Sequence, residues 1–170
     1  YRHLIEEMIT ISSNLATNIL IREAGATRVT ALMRSMGADS IEVLRGVEDL
    51  PAFQAGLSNT TTARDLGVIL TALGRGEVGS VATSREMVEV MLRQRFNAMI
   101  PAGLPAGVPV AHKTGSITGI NHDAGIVFQC WARHIRKLPP CSSWTAAELR
   151  EHMSRVTALL TRCTVACNPA

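Results

Sequence analysis

Cysteine and tryptophan are missing from the first 129 of the 170 residues. All four cysteines (Cys130, Cys141, Cys163, Cys167) and both tryptophans (Trp131, Trp144) lie beyond that point. Composition therefore changes abruptly near Gln129, and any disulfide or cysteine-held metal belongs to the tail. No stretch approaches the roughly 18 apolar residues of a spanning helix. No lysine or arginine run occurs either. The seventeen basic residues are spread among fourteen acidic ones for a net charge of +3, which excludes the basic footprint of a nucleic-acid binder. There is no internal repeat, no low-complexity tract and no apolar signal region. Tyr1-Arg2-His3 runs directly into an amphipathic pattern without an initiator methionine, and reads as a cut end. With 46% hydrophobic residues, the chain can form one domain with a core, or most of a larger one.

Helical spacing dominates the first two thirds. Leu4, Ile5, Met8, Ile9 and Ile11 predict a helix stopping at Ser12-Ser13. A second is expected over residues 14–23, with Leu15, Ile19 and Leu20 inward and Gly25 as its stop. Ser12 and Asn14 are two apart, so they can serve one site only in the turn between these helices; capping is the competing explanation for both. A third helix is expected over residues 27–36, with Val29, Leu32, Met33 and Met36 on one face. Residues 39–59 show no sustained period, and a loop of about twenty residues in a compact domain is usually functional. Thr62, with Asp65 three residues on, predicts the start of a helix carrying Leu66, Ile69, Leu70 and Leu73. Ser84 is expected to cap the next, which carries Met87, Val88, Met91 and Leu92.

After a Pro/Gly-rich connection, Val108-Pro109-Val110-Ala111 reads as a strand entering the polar box His112-Lys113-Thr114-Gly115-Ser116. A turn over residues 115–119 and a second strand over 123–128 make an antiparallel hairpin. This strand presents an anion-binding edge. Lys113 is a compact cation, Thr114 and Ser116 carry hydroxyls that can donate to a carboxylate, and Gly115 lets a substrate lie against the main chain.

Ser12-Ser13-Asn14, the irregular acidic loop, Lys113-Thr114-Gly115-Ser116 and Asn121-His122-Asp123-Ala124-Gly125, in that order, resemble the motif set of class A β-lactamases and related penicillin-recognising serine hydrolases. The resemblance covers residues 1–128. It implies an α/β (α+β) fold of the β-lactamase/transpeptidase type, incomplete here: a helical region with part of the antiparallel sheet. It implies opening of a β-lactam ring through an acyl-serine intermediate, with no cofactor or metal, by a monomer that is periplasmic or secreted and acts on a β-lactam or a peptidoglycan-like molecule. Ser12 would relay a proton to the leaving nitrogen, and Asn14 would hold the substrate's acyl-amide side chain. Lys113 would orient Ser12 and raise the local positive potential, and Thr114 would bind the substrate carboxylate. Gly115 would leave the edge open, and the backbone N–H of Ser116 would be one oxyanion-hole donor.

Departures from the pattern bear on the second half of the reaction. Ser13 stands where the family usually has Asp. Glu48 is the candidate for the carboxylate that activates the deacylating water, yet Ala52 occupies the place of the Asn expected four residues on, and aligning on Arg45 puts Val47 at the Glu position. A chain that acylates without deacylating is a penicillin-binding protein, a D-Ala-D-Ala peptidase or esterase-like relative, or a pseudoenzyme. The nucleophile motif Ser-x-x-Lys does not occur: the two lysines, Lys113 and Lys137, are preceded at that spacing by Val110 and His134. It is expected upstream. For residues 129–170 the readings are a divergent tail with a helix over 145–160, a disulfide or free-thiol tail, a zinc site using His134 and His152 with the cysteines, or a change of reading frame.

Overall fold

A computed structural model describes residues 1–117 and 119–128. The helix over 145–160, the disulfide and zinc alternatives and the frame change all fall outside them. The chain divides into two compact units, Tyr1–Ile69 and Leu70–Ala170.

In the first unit α1 (Arg2–Thr10) packs on α2 (Asn14–Ala24), which packs on α3 (Ala26–Ser35). Gly25, at φ 80°, ends α2 and begins α3, a conformation that glycine adopts without a Cβ clash. The apolar stripes are narrower than the periodicity predicts. Leu15 is 73% exposed rather than inward, because it stands on the first turn of α2, where Ala16 takes the buried position. Leu32 on α3 is likewise exposed, while Val29, Met33 and Met36 are half-buried. Residues 39–59 are less irregular than expected. A β-bridge between Glu42 and Thr60 closes their base, and α4 (Leu50–Gln54) sits near the tip, capped by Asp49, whose carboxylate accepts from the Ala52 N–H at 3.1 Å. As expected, Thr62 accepts the Asp65 N–H, at 3.1 Å, ahead of α5 (Ala63–Gly74). Asp65 itself is fully buried and accepts from the Ser40 N–H at 3.1 Å, tying the segment after α3 to α5.

In the second unit α6 (Val81–Met91) packs on β1 (Val110–Ile117), which pairs antiparallel with β2 (Ile120–Val127). The cap of α6 is Ser80, not Ser84: the Ser80 hydroxyl accepts from the Thr83 N–H at 3.1 Å. Ser84 lies inside the helix, fully buried, and faces Val78, accepting its N–H at 3.0 Å and donating to its carbonyl at 2.8 Å. Val88, Val90 and Met91 form the buried face of α6, whereas Met87 and Leu92 are exposed. Ser84→Ala leaves both Val78 backbone groups without that partner, so a loss of about 2 kcal/mol is expected. A lower urea midpoint at constant slope checks it, and an unchanged midpoint would mean that water replaces the hydroxyl.

The hairpin is longer and tighter than the sequence suggests. Pairing runs from Val110↔Val127 to Ile117↔Ile120, so residues 115–117 and 120–122 belong to the strands rather than to the turn and the connection beyond them. Gly119, just before β2, has φ 77°, a left-handed conformation that glycine adopts without a Cβ clash.

Candidate active site

Ser12 stands between α1 and α2 with φ 57°, a left-handed conformation that favours glycine. The cause is the way α1 ends. The Ser13 N–H reaches back six residues to the Glu7 carbonyl at 3.2 Å, which also accepts the Ile11 N–H at 3.3 Å, so the chain folds back over the end of α1 through the left-handed Ser12. Serine there carries a steric cost that glycine would avoid, and such outliers gather at functional positions. Ser13 then caps α2, its hydroxyl accepting from the Ala16 N–H at 3.2 Å and its carbonyl from the Thr17 hydroxyl at 2.8 Å. Capping thus falls to Ser13 and explains neither neighbour. Asn14 opens α2 with an exposed side chain.

Glu48 belongs to the same unit, on the 42–60 loop. Its φ is 61°, its side chain is exposed, and its carbonyl accepts from the Leu50 N–H at 2.9 Å. The residue before it is the one held in place. Asn18 on α2 donates its amide to the Val47 carbonyl at 3.0 Å and accepts the Val47 N–H at 2.6 Å. Gly46 permits this approach, since a Cβ at that position would lie 2.8 Å from the Asn18 oxygen. Asn59 grips the other side of the loop, accepting the N–H groups of Leu44 (2.8 Å) and Arg45 (3.0 Å) and donating to the Arg45 carbonyl. The Arg45 guanidinium lies 5.2 Å from the centre of the Phe53 ring and donates to the Gly46 carbonyl. The sequence reading missed Asn18 and Asn59, whose partners lie 29 and 14 or 15 residues away.

In the second unit Lys113, Thr114, Gly115 and Ser116 follow one another along β1. Lys113 and Thr114 are half-buried; Gly115 and Ser116 are exposed. Among the described residues nothing would meet a Cβ on Gly115, so that stretch of strand is open among them. The Lys113 ammonium donates to the Thr114 carbonyl, turning the charge along its own strand. Burial pushes its pKa down from the ordinary 10.5, and the Asp123 carboxylate pulls part of the way back. His112 and Asp123, quoted in the motifs without a role, form a buried pair, with the ring Nδ1 2.9 Å from the carboxylate. A histidine at the end of an apolar strand was the available signal.

Residues 1–135 match the model of a family described as the β-lactamase enzyme family. A β-lactamase of Streptomyces fradiae is 32% identical over 129 residues, covering 74% of this chain and 42% of the relative. One of Streptomyces albus G is 30% identical, covering 74% of this chain and 41% of the relative. Among solved structures, PBP-A superposes with a TM-score of 0.68 at 34% identity over 75% of this chain and 46% of its own. The β-lactamase of Sphaerobacter thermophilus gives a TM-score of 0.68 at 28% identity over 75% of this chain and 49% of its own. The chain spans about two fifths of the length of these curated relatives and under half of these structures.

Proposed function

The chain belongs to the β-lactamase enzyme family, and from that premise we propose that the protein opens β-lactam rings through an acyl-serine intermediate. The observation that carries the reading is the β1 edge: a half-buried lysine followed by hydroxyl, glycine and hydroxyl residues on an open strand. A β-lactam carries one carboxylate and one reactive carbonyl. Lys113 supplies the positive potential for the carboxylate and Thr114 a donor to it. Gly115 lets the substrate lie against the main chain, and the Ser116 N–H stabilises the developing oxyanion. Ser12 passes the proton to the leaving nitrogen, and Asn14 holds the acyl-amide side chain.

A second reading stops at the acyl-enzyme. The loop residue fixed by Asn18 is Val47, which has no carboxylate, while Glu48 is exposed beside it. A penicillin-binding protein that deacylates slowly would have this arrangement, and a point mutant of PBP-A is known as an acyl-enzyme complex with penicillin G.

One experiment separates the outcomes. No serine stands three residues before either lysine, so the chain alone is expected to give no chromogenic-cephalosporin hydrolysis above background. Saturable turnover by the purified chain would overturn the assigned mechanism. Joined behind a family Ser-x-x-Lys segment, it is expected to take up fluorescent penicillin covalently. Rapid loss of the label supports the hydrolase, retention supports the binder, and absence of labelling refutes both.

A further inference from the structure

His112 is only 1% exposed although its neighbour in sequence is Lys113. The fold makes a place for it: Gly125 is its partner across the ladder, and a Cβ there would lie 2.5 Å from the His112 Cβ and 2.6 Å from the Ala111 carbonyl oxygen. Nδ1 lies 2.9 and 3.1 Å from the two carboxylate oxygens of Asp123, and Nε2 lies 3.1 Å from the side-chain oxygen of Asn97. The orientation of that amide is fixed, because its nitrogen donates to the carbonyls of Gln94 at 3.3 Å and Arg95 at 3.4 Å. Asp123 also accepts the Ile100 N–H at 3.0 Å. Both ring nitrogens therefore face oxygen acceptors, and the contacts are all satisfied only when both carry hydrogen.

Consecutive residues of β1 point to opposite sides of the sheet, so His112 and Thr114 share one side and Lys113 takes the other. Asp123 stands directly across from Thr114. Anchoring the imidazole fixes the rotation of the strand, and a slip of one residue would exchange the two sides.

Resting on the reading that Lys113 and Thr114 bind substrate, we propose that His112, Asp123 and Asn97 are positioning residues. They form a buried imidazolium–carboxylate pair, closed by an amide, that locks the Lys113–Thr114 edge to the connection at residues 97–100. Asp123 has a second effect, placing a negative charge close enough to act on the Lys113 ammonium. The other titratable or charged groups on the elements packed against β1 are His122 on β2 and Arg85, Glu86 and Glu89 on α6. Arg85 and Glu89 pair with each other at 3.0 Å.

The test uses this chain with ¹⁵N-labelled histidine and lysine, in which His112 is told apart from the four other histidines and Lys113 from Lys137 by single substitutions. The His112 ring is expected to show two slowly exchanging N–H protons, one bonded to Asp123 and one to Asn97. Asp123→Asn keeps an acceptor but removes the charge, so the ring should fall to one N–H and the Lys113 ammonium should titrate at lower pH. A ring with a single N–H in the unmodified chain overturns the proposal, as does a Lys113 titration that stays in place in a folded Asp123→Asn chain. If that variant does not fold, Asn97→Ala alters only an exposed side chain. It should speed exchange of the Nε2 proton about fivefold or more, the equivalent of one hydrogen bond, and unchanged exchange overturns the proposal. Neither readout needs acylation. Failure of the β-lactam chemistry would appear instead as absent penicillin labelling with these signals intact.

Discussion

Lys113→Ala, in an active protein containing this chain, is expected to lower kcat/KM by about 10², or ~2.7 kcal/mol of transition-state stabilisation. The substitution removes the cation from the open edge of β1 and leaves the hydroxyls of Thr114 and Ser116 to hold the substrate carboxylate alone. A loss under about threefold would reduce the Lys-Thr-Gly box to an ordinary strand edge. The pH profile adds a second check. Because burial lowers the Lys113 pKa, activity that depends on the ammonium should decline on the alkaline side at a pH below the ordinary 10.5. Stability has the opposite sign. The charged form is the one penalised by burial, so that penalty is fully present below the folded-state pKa and relieved as pH rises from there towards 10.5. The desolvation part of Lys113→Ala thus favours the fold at neutral pH, which separates lost chemistry from lost structure.

Local features were legible in the sequence because they repeat at short range. The apolar spacing placed α1, α2, α3 and α5 within a residue or two, and the Thr62–Asp65 pairing marked the start of α5. Errors came where two local solutions compete. Ser80 and Ser84 are one turn apart and both can cap. Tertiary packing decides between them by burying Ser84 against Val78. The short helix α4 was missed although its signal was present, Asp49 as a cap with Pro51 in the first turn. The left-handed Ser12 follows from how α1 closes on Ser13, a backbone event that periodicity does not encode. The amide of Asn18 on Val47 and the carboxylate of Asp123 on His112 join residues 29 and 11 positions apart, and no composition or spacing rule announces such pairs.

The Asn18 clasp supports the other large effect. Val47→Glu is expected to speed hydrolysis of the acyl-enzyme by about 10² or more, the usual contribution of a positioned general base. On the expectation that aligning on Arg45 would bring position 47 to the place of the family's water-activating carboxylate, the geometry is favourable: both main-chain polar groups of Val47 are bound to Asn18, at 3.0 and 2.6 Å. A side chain introduced there inherits a fixed backbone. Glu48 has a carboxylate without that support, exposed on a left-handed residue. The two positions therefore make opposite predictions. If position 47 governs deacylation, Glu48→Gln changes the loss of penicillin label less than about threefold, and Val47→Glu shortens its lifetime by two orders of magnitude. If Glu48 is the base, Glu48→Gln slows label loss by that factor and Val47→Glu does little. Adding Asn18→Leu to Val47→Glu removes the clasp and should erase most of the gain, because a base displaced by about 1 Å loses much of its advantage. A gain that survives Asn18→Leu would mean that the loop is held by Asn59 and the Glu42–Thr60 bridge alone.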